Sequence, residues 1–140
     1  MRFVLDYTVS MRWLLRDGSA DDQKLADRVL TNLVKNEAWV PSLWWTDMTS
    51  VISKAEKNNL ISQSESTQFL RLLEPLPISE RLIPGSQLLQ KTLELSRRYG
   101  LNANRAAYIA LAMTESLPLA TVDETLRKAV LRCGVFTYPS

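Results

Sequence analysis

Two short apolar segments of the chain each end at an aspartate or just before one. The first runs from Arg2 to Asp6, and the second runs from Leu117 to Thr121 and is closely followed by Asp123. Apolar runs of this length are typical of strands that are buried on both faces, as in a parallel sheet. An acid that closes such a strand is costly unless it is paired or bound to a ligand. Because ligands of open α/β sheets bind outside the carboxyl ends of the strands, Asp6 and Asp123 are expected to share a crevice.

A third acid, Asp47, lies in the segment "PSLWWTDMTSV", beside an apolar stripe that includes Trp44 and Met48. From this position its carboxylate could tilt towards the same crevice. Three carboxylates without a histidine would form a site for Mg²⁺ or Mn²⁺, which prefer oxygen ligands. Two other interpretations stay open, namely Asp123 as an ordinary helix N-cap and Asp47 as a solvated surface acid.

The absence of histidine removes several kinds of chemistry. The chain contains no histidine and a single cysteine, Cys133. Ser-His-Asp and Cys-His hydrolysis are therefore excluded, as are zinc sites built on histidine and RNA cleavage by histidine acid–base pairs. A hydrolase built from this chain must use carboxylates, and a hard divalent metal is the cofactor that suits them.

Size and composition indicate one globular domain. The chain has 140 residues, of which 46% are hydrophobic, so we expect a single domain over residues 1–140. No apolar run reaches the length of a membrane span, and Asp6 interrupts the apolar start where a signal peptide would need an unbroken core. The lone Cys133 fits a reducing cytoplasm. The net charge of +2 permits a nucleic acid partner without arguing for one.

Strand-like and helix-like segments alternate along the chain, and they predict the elements that position the acids. Strands are predicted at 2–6, 38–41, 76–80, 117–121 and 135–138. Helices are predicted at 8–18, 19–37, 41–59, 62–74, 84–100, 101–116 and 123–132. This alternation implies a parallel sheet that is covered by helices on both faces.

One charged residue is poorly placed for its predicted helix. Arg105 lies in the first turn of "LNANRAAYIALAM". The amino end of a helix carries a partial positive charge, so an acid is favoured there by about 0.3–1 kcal/mol and a base is disfavoured by a similar amount. An arginine at this position therefore needs a compensating partner elsewhere in the fold.

Four segments, in order along nearly the whole chain, resemble the motifs of PIN-domain ribonucleases, and especially of VapC-like toxins. "FVLDYTVSMRWLL" resembles the opening motif, a strand ending in Asp with a Ser or Thr two residues on, here Thr8. "VPSLWWTDMTSVI" resembles the second motif, in which the acid is usually Glu and is here Asp47. "LNANRAAYIALA" resembles the third motif, but Arg105 stands where the family has an acid. "LPLATVDETLRKAVLRCGV" resembles the fourth, a strand that ends in Thr-x-Asp, here Thr121 and Asp123.

The resemblance implies a three-layer α/β/α PIN-like fold with a short central parallel sheet of four or five strands. It also implies a metal-dependent endoribonuclease that uses Mg²⁺ or Mn²⁺, acts on RNA, pairs with a small antitoxin protein and is usually a dimer. Asp6, Asp47 and Asp123 would be the catalytic and metal-binding residues, with Thr8 and Thr121 in support.

Arg105 separates two functional interpretations. In the first, the protein is a VapC-like nuclease that is weakened by the arginine at the third acidic position. In the second, it is a non-catalytic PIN-like module that binds RNA or a protein partner without hydrolysis. We expect the guanidinium to turn into the crevice and pair with Asp6 or Asp123 in place of a metal, because a planar fork satisfies carboxylate oxygens well. If the side chain instead pointed outwards, three carboxylates could still hold one ion.

Trp45 is the candidate for a contact with another copy of the chain. It follows Trp44 and therefore lies about 100° round the same helix, away from the apolar stripe. Together with the usual assembly of the family that the chain resembles, this position predicts a homodimer.

Overall fold

Four short strands form one parallel sheet, and seven helices surround it. A computed structural model describes all residues from 1 to 140. The strands are β1 (Arg2–Leu5), β2 (Glu37–Val40), β3 (Ile78–Glu80) and β4 (Leu119–Ala120). The helices are α1 (Tyr7–Ser10), α2 (Ala20–Asn32), α3 (Leu43–Lys57), α4 (Gln63–Leu73), α5 (Gly85–Tyr99), α6 (Ala103–Glu115) and α7 (Glu124–Arg132).

The sheet order is β3-β2-β1-β4, with every neighbouring pair parallel. Phe3, Val4 and Leu5 of β1 are fully buried although successive side chains point to opposite faces, so both faces of the sheet are covered. This arrangement confirms the three-layer α/β/α fold, with four strands. The Asp6 backbone N–H donates to the carbonyl oxygen of Ala120 at 3.0 Å, so β1 and β4 end side by side.

The strand predicted at residues 135–138 is wrong. Only a single parallel bridge joins Thr137 to Leu119 there. The Leu119 N–H donates to the carbonyl oxygen of Phe136 and the Tyr138 N–H donates to that of Leu119, and this pair of hydrogen bonds forms the whole bridge.

The helix predicted from Thr8 to Gly18 is also shorter than expected. α1 ends at Ser10 and is followed by a 3-10 turn at Met11–Trp13. The carbonyl oxygen of Arg12 accepts a hydrogen bond from the Gln23 side chain of α2 instead of a helical N–H. Packing against α2 therefore ends the helix early.

α6 is the most deeply buried helix. Every residue from Ala106 to Ala112 is buried, and the helix packs against α5, β1 and β4. Trp44 and Met48 of α3 also belong to the core, as their helical spacing predicted. α3 and α6 thus present their remaining faces near the carboxyl edge of the sheet, where the candidate site lies. None of the helices is both long and apolar enough to cross a membrane.

Polar side chains cap the amino ends of several helices. Ser19 caps α2, Ser62 forms a capping box with Glu65 at the start of α4, and Asn102 caps α6. Gly100 ends α5 in the left-handed conformation, with φ of 67°. This conformation is strained for residues with a Cβ atom, so glycine is required there.

We expect Gly100→Ala to lower the free energy of unfolding by about 1 kcal/mol or more, because alanine disfavours a positive φ. No atom lies within 4 Å of the added Cβ, so the loss would come from the backbone alone. Gly85→Ala is the matched control. It also has open space and lies at the start of α5 without a positive φ, so it should be neutral or stabilising. Urea denaturation of both variants measures the difference, and equal effects would contradict the backbone explanation.

Candidate active site

Asp6 closes β1 and is buried, with 1% of its surface exposed. Its Oδ2 atom accepts two hydrogen bonds of 2.6 Å, one from the Thr8 hydroxyl and one from the Thr121 hydroxyl. Thr8 follows Asp6 on the chain, whereas Thr121 arrives at the end of the neighbouring strand β4. The two threonine hydroxyls therefore hold the Asp6 carboxylate in place.

Burial dominates the acidity of Asp6. Desolvation raises the pKa of its carboxyl group from 3.8 to about 6, although the hydrogen bonds from Thr121 and Thr8 lower it. The negative charge of Asp123 raises the pKa a little further. This buried carboxylate is thus held by two hydroxyl groups and by the backbone N–H of Thr8, without an adjacent cation.

The same threonines fix the loop that leads to α7. The Asp123 backbone N–H donates to the Thr121 hydroxyl oxygen at 3.0 Å, and the Val122 N–H donates to that of Thr8 at 3.3 Å. The end of β1 and the loop after β4 therefore form one hydrogen-bonded unit. This unit fixes the backbone position from which the Asp123 side chain extends.

Asp123 has two roles at once. Its Oδ1 atom accepts from the Thr125 N–H at 3.2 Å, which makes it the N-cap of α7. Its Oδ2 atom accepts from the Arg105 Nε at 2.5 Å, with Arg105 Nη2 at 3.5 Å from Oδ1. The N-cap interpretation is confirmed, and it does not exclude Asp123 from the crevice.

Arg105 pairs with Asp123, and this ion pair compensates for its unfavourable position in the first turn of α6. Its backbone N–H donates to the side chain of the N-cap Asn102, so it lies in the first turn of α6 as predicted. The hydrogen bond to Asp123 is the main cause that raises the pKa of the guanidinium. The predicted pairing of Arg105 with Asp6 or Asp123 is confirmed for Asp123.

Asp47 has a separate partner. Its Oδ2 atom accepts a 3.0 Å hydrogen bond from the hydroxyl group of Tyr108, which is buried on α6. Partial burial raises the pKa of Asp47, and the bond from Tyr108 lowers it. Asp47 is therefore not a free, solvated surface acid.

Tyr7 and Tyr108 were not singled out from the sequence. The negative charges of Asp6, Asp47 and Asp123 all raise the pKa of the Tyr7 hydroxyl, so this group lies within reach of all three acids. The Tyr108 ring lies 6.5 Å from the Tyr7 ring. Two positions in the sequence could have identified these tyrosines. Tyr7 directly follows Asp6, and Tyr108 lies three residues after Arg105 and therefore on the same helix face. Together with Asp6, Asp47, Asp123 and Arg105, they form what we call the acidic crevice.

The acidic crevice does not fit a divalent cation in this arrangement. No three Asp, Glu, His or Cys side chains converge closely enough to hold a metal ion. One of the predicted ligands, Asp123, is engaged by a guanidinium instead. Mg²⁺ requires near-octahedral oxygen ligands, and separate acids with separate partners do not provide them.

A large cavity lies elsewhere. It measures about 760 Å³ and is lined by Met1, Asn36 and Tyr138, at the amino ends of the strands. Its lining contains no Asp or Glu side chain. The chemistry predicted from the sequence therefore does not belong to this cavity.

We expect the Asp6 carboxyl group to make stability fall as the pH rises from about 4 to about 6. Its raised pKa means that the folded chain binds more protons than the unfolded chain in this window. The free energy of unfolding stops falling once the pH exceeds the pKa of Asp6 in the folded chain, and the total loss is roughly 3 kcal/mol. Asp6→Asn should remove this component, because the amide oxygen can still accept from both threonines. Urea denaturation across this pH range, in the presence of EDTA, measures it.

Asp27→Asn is the matched control for this pH profile. Arg16 and Gln23 hold the pKa of Asp27 below its usual value, so its contribution to stability has the opposite sign. A profile that Asp6→Asn leaves unchanged would show that burial of Asp6 does not govern its acidity.

Comparison with known proteins agrees with the fold. The sequence model of the PIN domain family matches residues 3–130. No curated protein sequence is significantly similar to the chain. Three solved structures are similar in fold at low sequence identity.

The FitAcB structure from Neisseria gonorrhoeae has a TM-score of 0.64 at 15% identity and covers 99% of this chain and 96% of its own. VapBC2 from Rickettsia felis, bound to a promoter DNA fragment, has a TM-score of 0.60 at 15% identity, with 91% and 92% covered. A toxin-antitoxin complex from Klebsiella pneumoniae has a TM-score of 0.58 at 16% identity, with 85% and 84% covered. The match to the family model spans most of the chain, and the chain therefore belongs to the PIN domain family.

Proposed function

We propose that this protein is a VapC-like toxin of a toxin–antitoxin pair and a weak metal-dependent endoribonuclease that hydrolyses phosphodiester bonds of RNA. The observation that carries the proposal is the position of Asp6, a buried acid at the carboxyl edge of the sheet, where ligands of α/β folds bind. The PIN domain match and the toxin–antitoxin complexes among the solved structures support the class of protein.

The proposed catalytic and metal-binding residues are Asp6, Asp47 and Asp123, with Thr8 and Thr121 in support. All three acids act electrostatically on the Tyr7 hydroxyl, which supports a shared location. Mg²⁺ or Mn²⁺ is the cofactor that carboxylates suit. Because the crevice does not fit such an ion as it stands, we propose that hydrolysis is slow.

A second candidate is a PIN-like module that binds RNA or a protein partner without hydrolysis. The ion pair between Arg105 and Asp123 favours it, because the pair engages one of the proposed catalytic acids. The two candidates share the fold and differ in whether any cleavage remains.

We expect slow cleavage of RNA by the purified protein in Mn²⁺ or Mg²⁺, and its loss in EDTA and in Asp6→Asn. Asp27→Asn is the control, because it removes an acid that pairs with Arg16 and Gln23 and makes no hydrogen bond to a residue of the crevice. Gel analysis of a labelled RNA measures the rate, and circular dichroism checks the fold of each variant. If RNA binds but stays intact in every metal, the non-catalytic candidate replaces the first.

The partners that we propose are RNA, a small antitoxin and a second copy of the chain. The antitoxin is supported by the complexes to which the fold is similar. The homodimer is supported by Trp45, which is 46% exposed on α3 and contacts the buried Trp44 ring edge-on. A large aromatic surface in this position is typical of protein interfaces.

We further propose a cytoplasmic location, because Cys133 is a free thiol.

We expect Trp45→Glu to convert a dimer into a monomer, because a charge would replace apolar surface at the interface. Phe136→Glu is the matched control, since Phe136 is more exposed than Trp45 and lies on the carboxyl-terminal segment. Light scattering coupled to size exclusion gives the masses. A wild-type chain that is monomeric at high concentration would disprove the dimer.

A further inference from the structure

Each acid of the acidic crevice is satisfied by its own partner. Asp6 accepts from two threonine hydroxyls, and Asp47 accepts from Tyr108. Asp123 alone is paired with a cation, Arg105. Carboxylates that share a metal ion would point at one common position, whereas these acids are held by separate groups.

Both ends of the Arg105–Asp123 pair are anchored in the fold. Arg105 lies in the first turn of α6, whose buried residues pack against β1 and β4. Asp123 begins α7, and its backbone is held by the hydroxyl of Thr121. The pair therefore joins the amino ends of two helices, and its geometry does not depend on a free surface loop.

The oxygens of Asp123 are already engaged. Oδ2 accepts from Arg105 Nε, while Oδ1 accepts from the Thr125 N–H and lies within reach of Arg105 Nη2. The Arg105 side chain is 37% exposed and that of Asp123 is 18% exposed. A divalent cation that approached this carboxylate would meet a positive charge at close range and would have to displace it.

We infer that Arg105 is the resident cation of the acidic crevice, so that the chain neutralises Asp123 itself and binds Mg²⁺ or Mn²⁺ well only when this guanidinium is removed. The inference deepens the proposed function, on which its biological meaning rests. It concerns the affinity of the folded chain for a metal ion, which is measured without RNA.

The helix position makes one substitution especially informative. An aspartate at position 105 would suit the partial positive charge at the start of α6, where the arginine does not. Arg105→Asp would also release Asp123 and add a carboxylate beside it. Without metal, the new acids would repel each other, and stability should fall. With metal, stability should recover, because only the folded chain binds the ion.

The experiment is a melting series in EDTA and in millimolar Mn²⁺ or Mg²⁺, with calorimetric titration of Mn²⁺. In Arg105→Asp, metal should raise the melting temperature by roughly 5–10 °C. Its affinity for Mn²⁺ should exceed that of the wild type by about tenfold or more. Lys24→Asp makes the same change in charge at an exposed position on α2, and it should bind Mn²⁺ no better than the wild type does.

Arg105→Gln removes the cation without adding an acid, and it keeps the test valid if Arg105→Asp does not fold. Its Mn²⁺ affinity should lie between those of the wild type and Arg105→Asp. Arg105→Lys retains a positive charge and should still exclude the metal, although its ammonium cannot reproduce the planar fork. Tight metal binding by the wild type, or none by Arg105→Asp and Arg105→Gln, overturns the inference. Failure of RNA cleavage with intact metal binding would instead overturn the proposed nuclease function.

Discussion

A carboxyl group that is buried at the end of a central strand must find hydrogen-bond donors inside the protein, and this constraint organises the site. Asp6 meets it through two hydroxyl groups, one on its own chain segment and one at the end of the neighbouring strand. The second donor, Thr121, is available only because β4 pairs with β1 in parallel, so that both strands end at the same edge. The threonines in turn accept from the next two backbone N–H groups, Val122 and Asp123. The position of the loop before α7 thus follows from the need to satisfy one buried acid.

α6 supplies the other partners of the crevice. Its first turn carries Arg105, and one turn later Tyr108 projects from the same face. The helix can hold these groups in place because its residues from Ala106 to Ala112, mostly small and apolar, are buried, and it packs against the sheet and α5. Arg105 engages Asp123 and Tyr108 engages Asp47, so one rigid helix contacts acids from two other elements.

Charge compensation in this crevice is therefore internal. An ion pair, a tyrosine hydroxyl and two threonine hydroxyls satisfy acids that would repel one another if they were brought together without a cation. Asp6 still carries an energetic cost of burial, since burial raises the pKa of its carboxyl group to about 6. Arg105 stands where the resemblance places an acid, and its ion pair with Asp123 is how this fold accommodates the arginine.

Local patterns in the sequence determined much of this structure. The apolar run that ends at Asp6 predicted a buried strand, and the alternation of elements predicted a parallel sheet covered on both faces. The helix ends at Ser19, Ser62, Asn102 and Gly100 are also local features, because caps and left-handed turns depend on a few neighbouring residues.

Only the tertiary structure decided which group each acid would meet. Asp47 and Tyr108 are separated by 61 positions, and Asp6 and Thr121 by 115, so their hydrogen bonds depend on how whole elements pack. The segment 135–138 had the pattern of a strand, but in the fold it makes only one bridge, to Leu119. Arg105 could have turned towards either Asp6 or Asp123, and Thr8 and Thr121 already satisfied Asp6. Periodicity reports which face of an element is buried, whereas the choice among long-range partners depends on packing geometry that no local pattern contains.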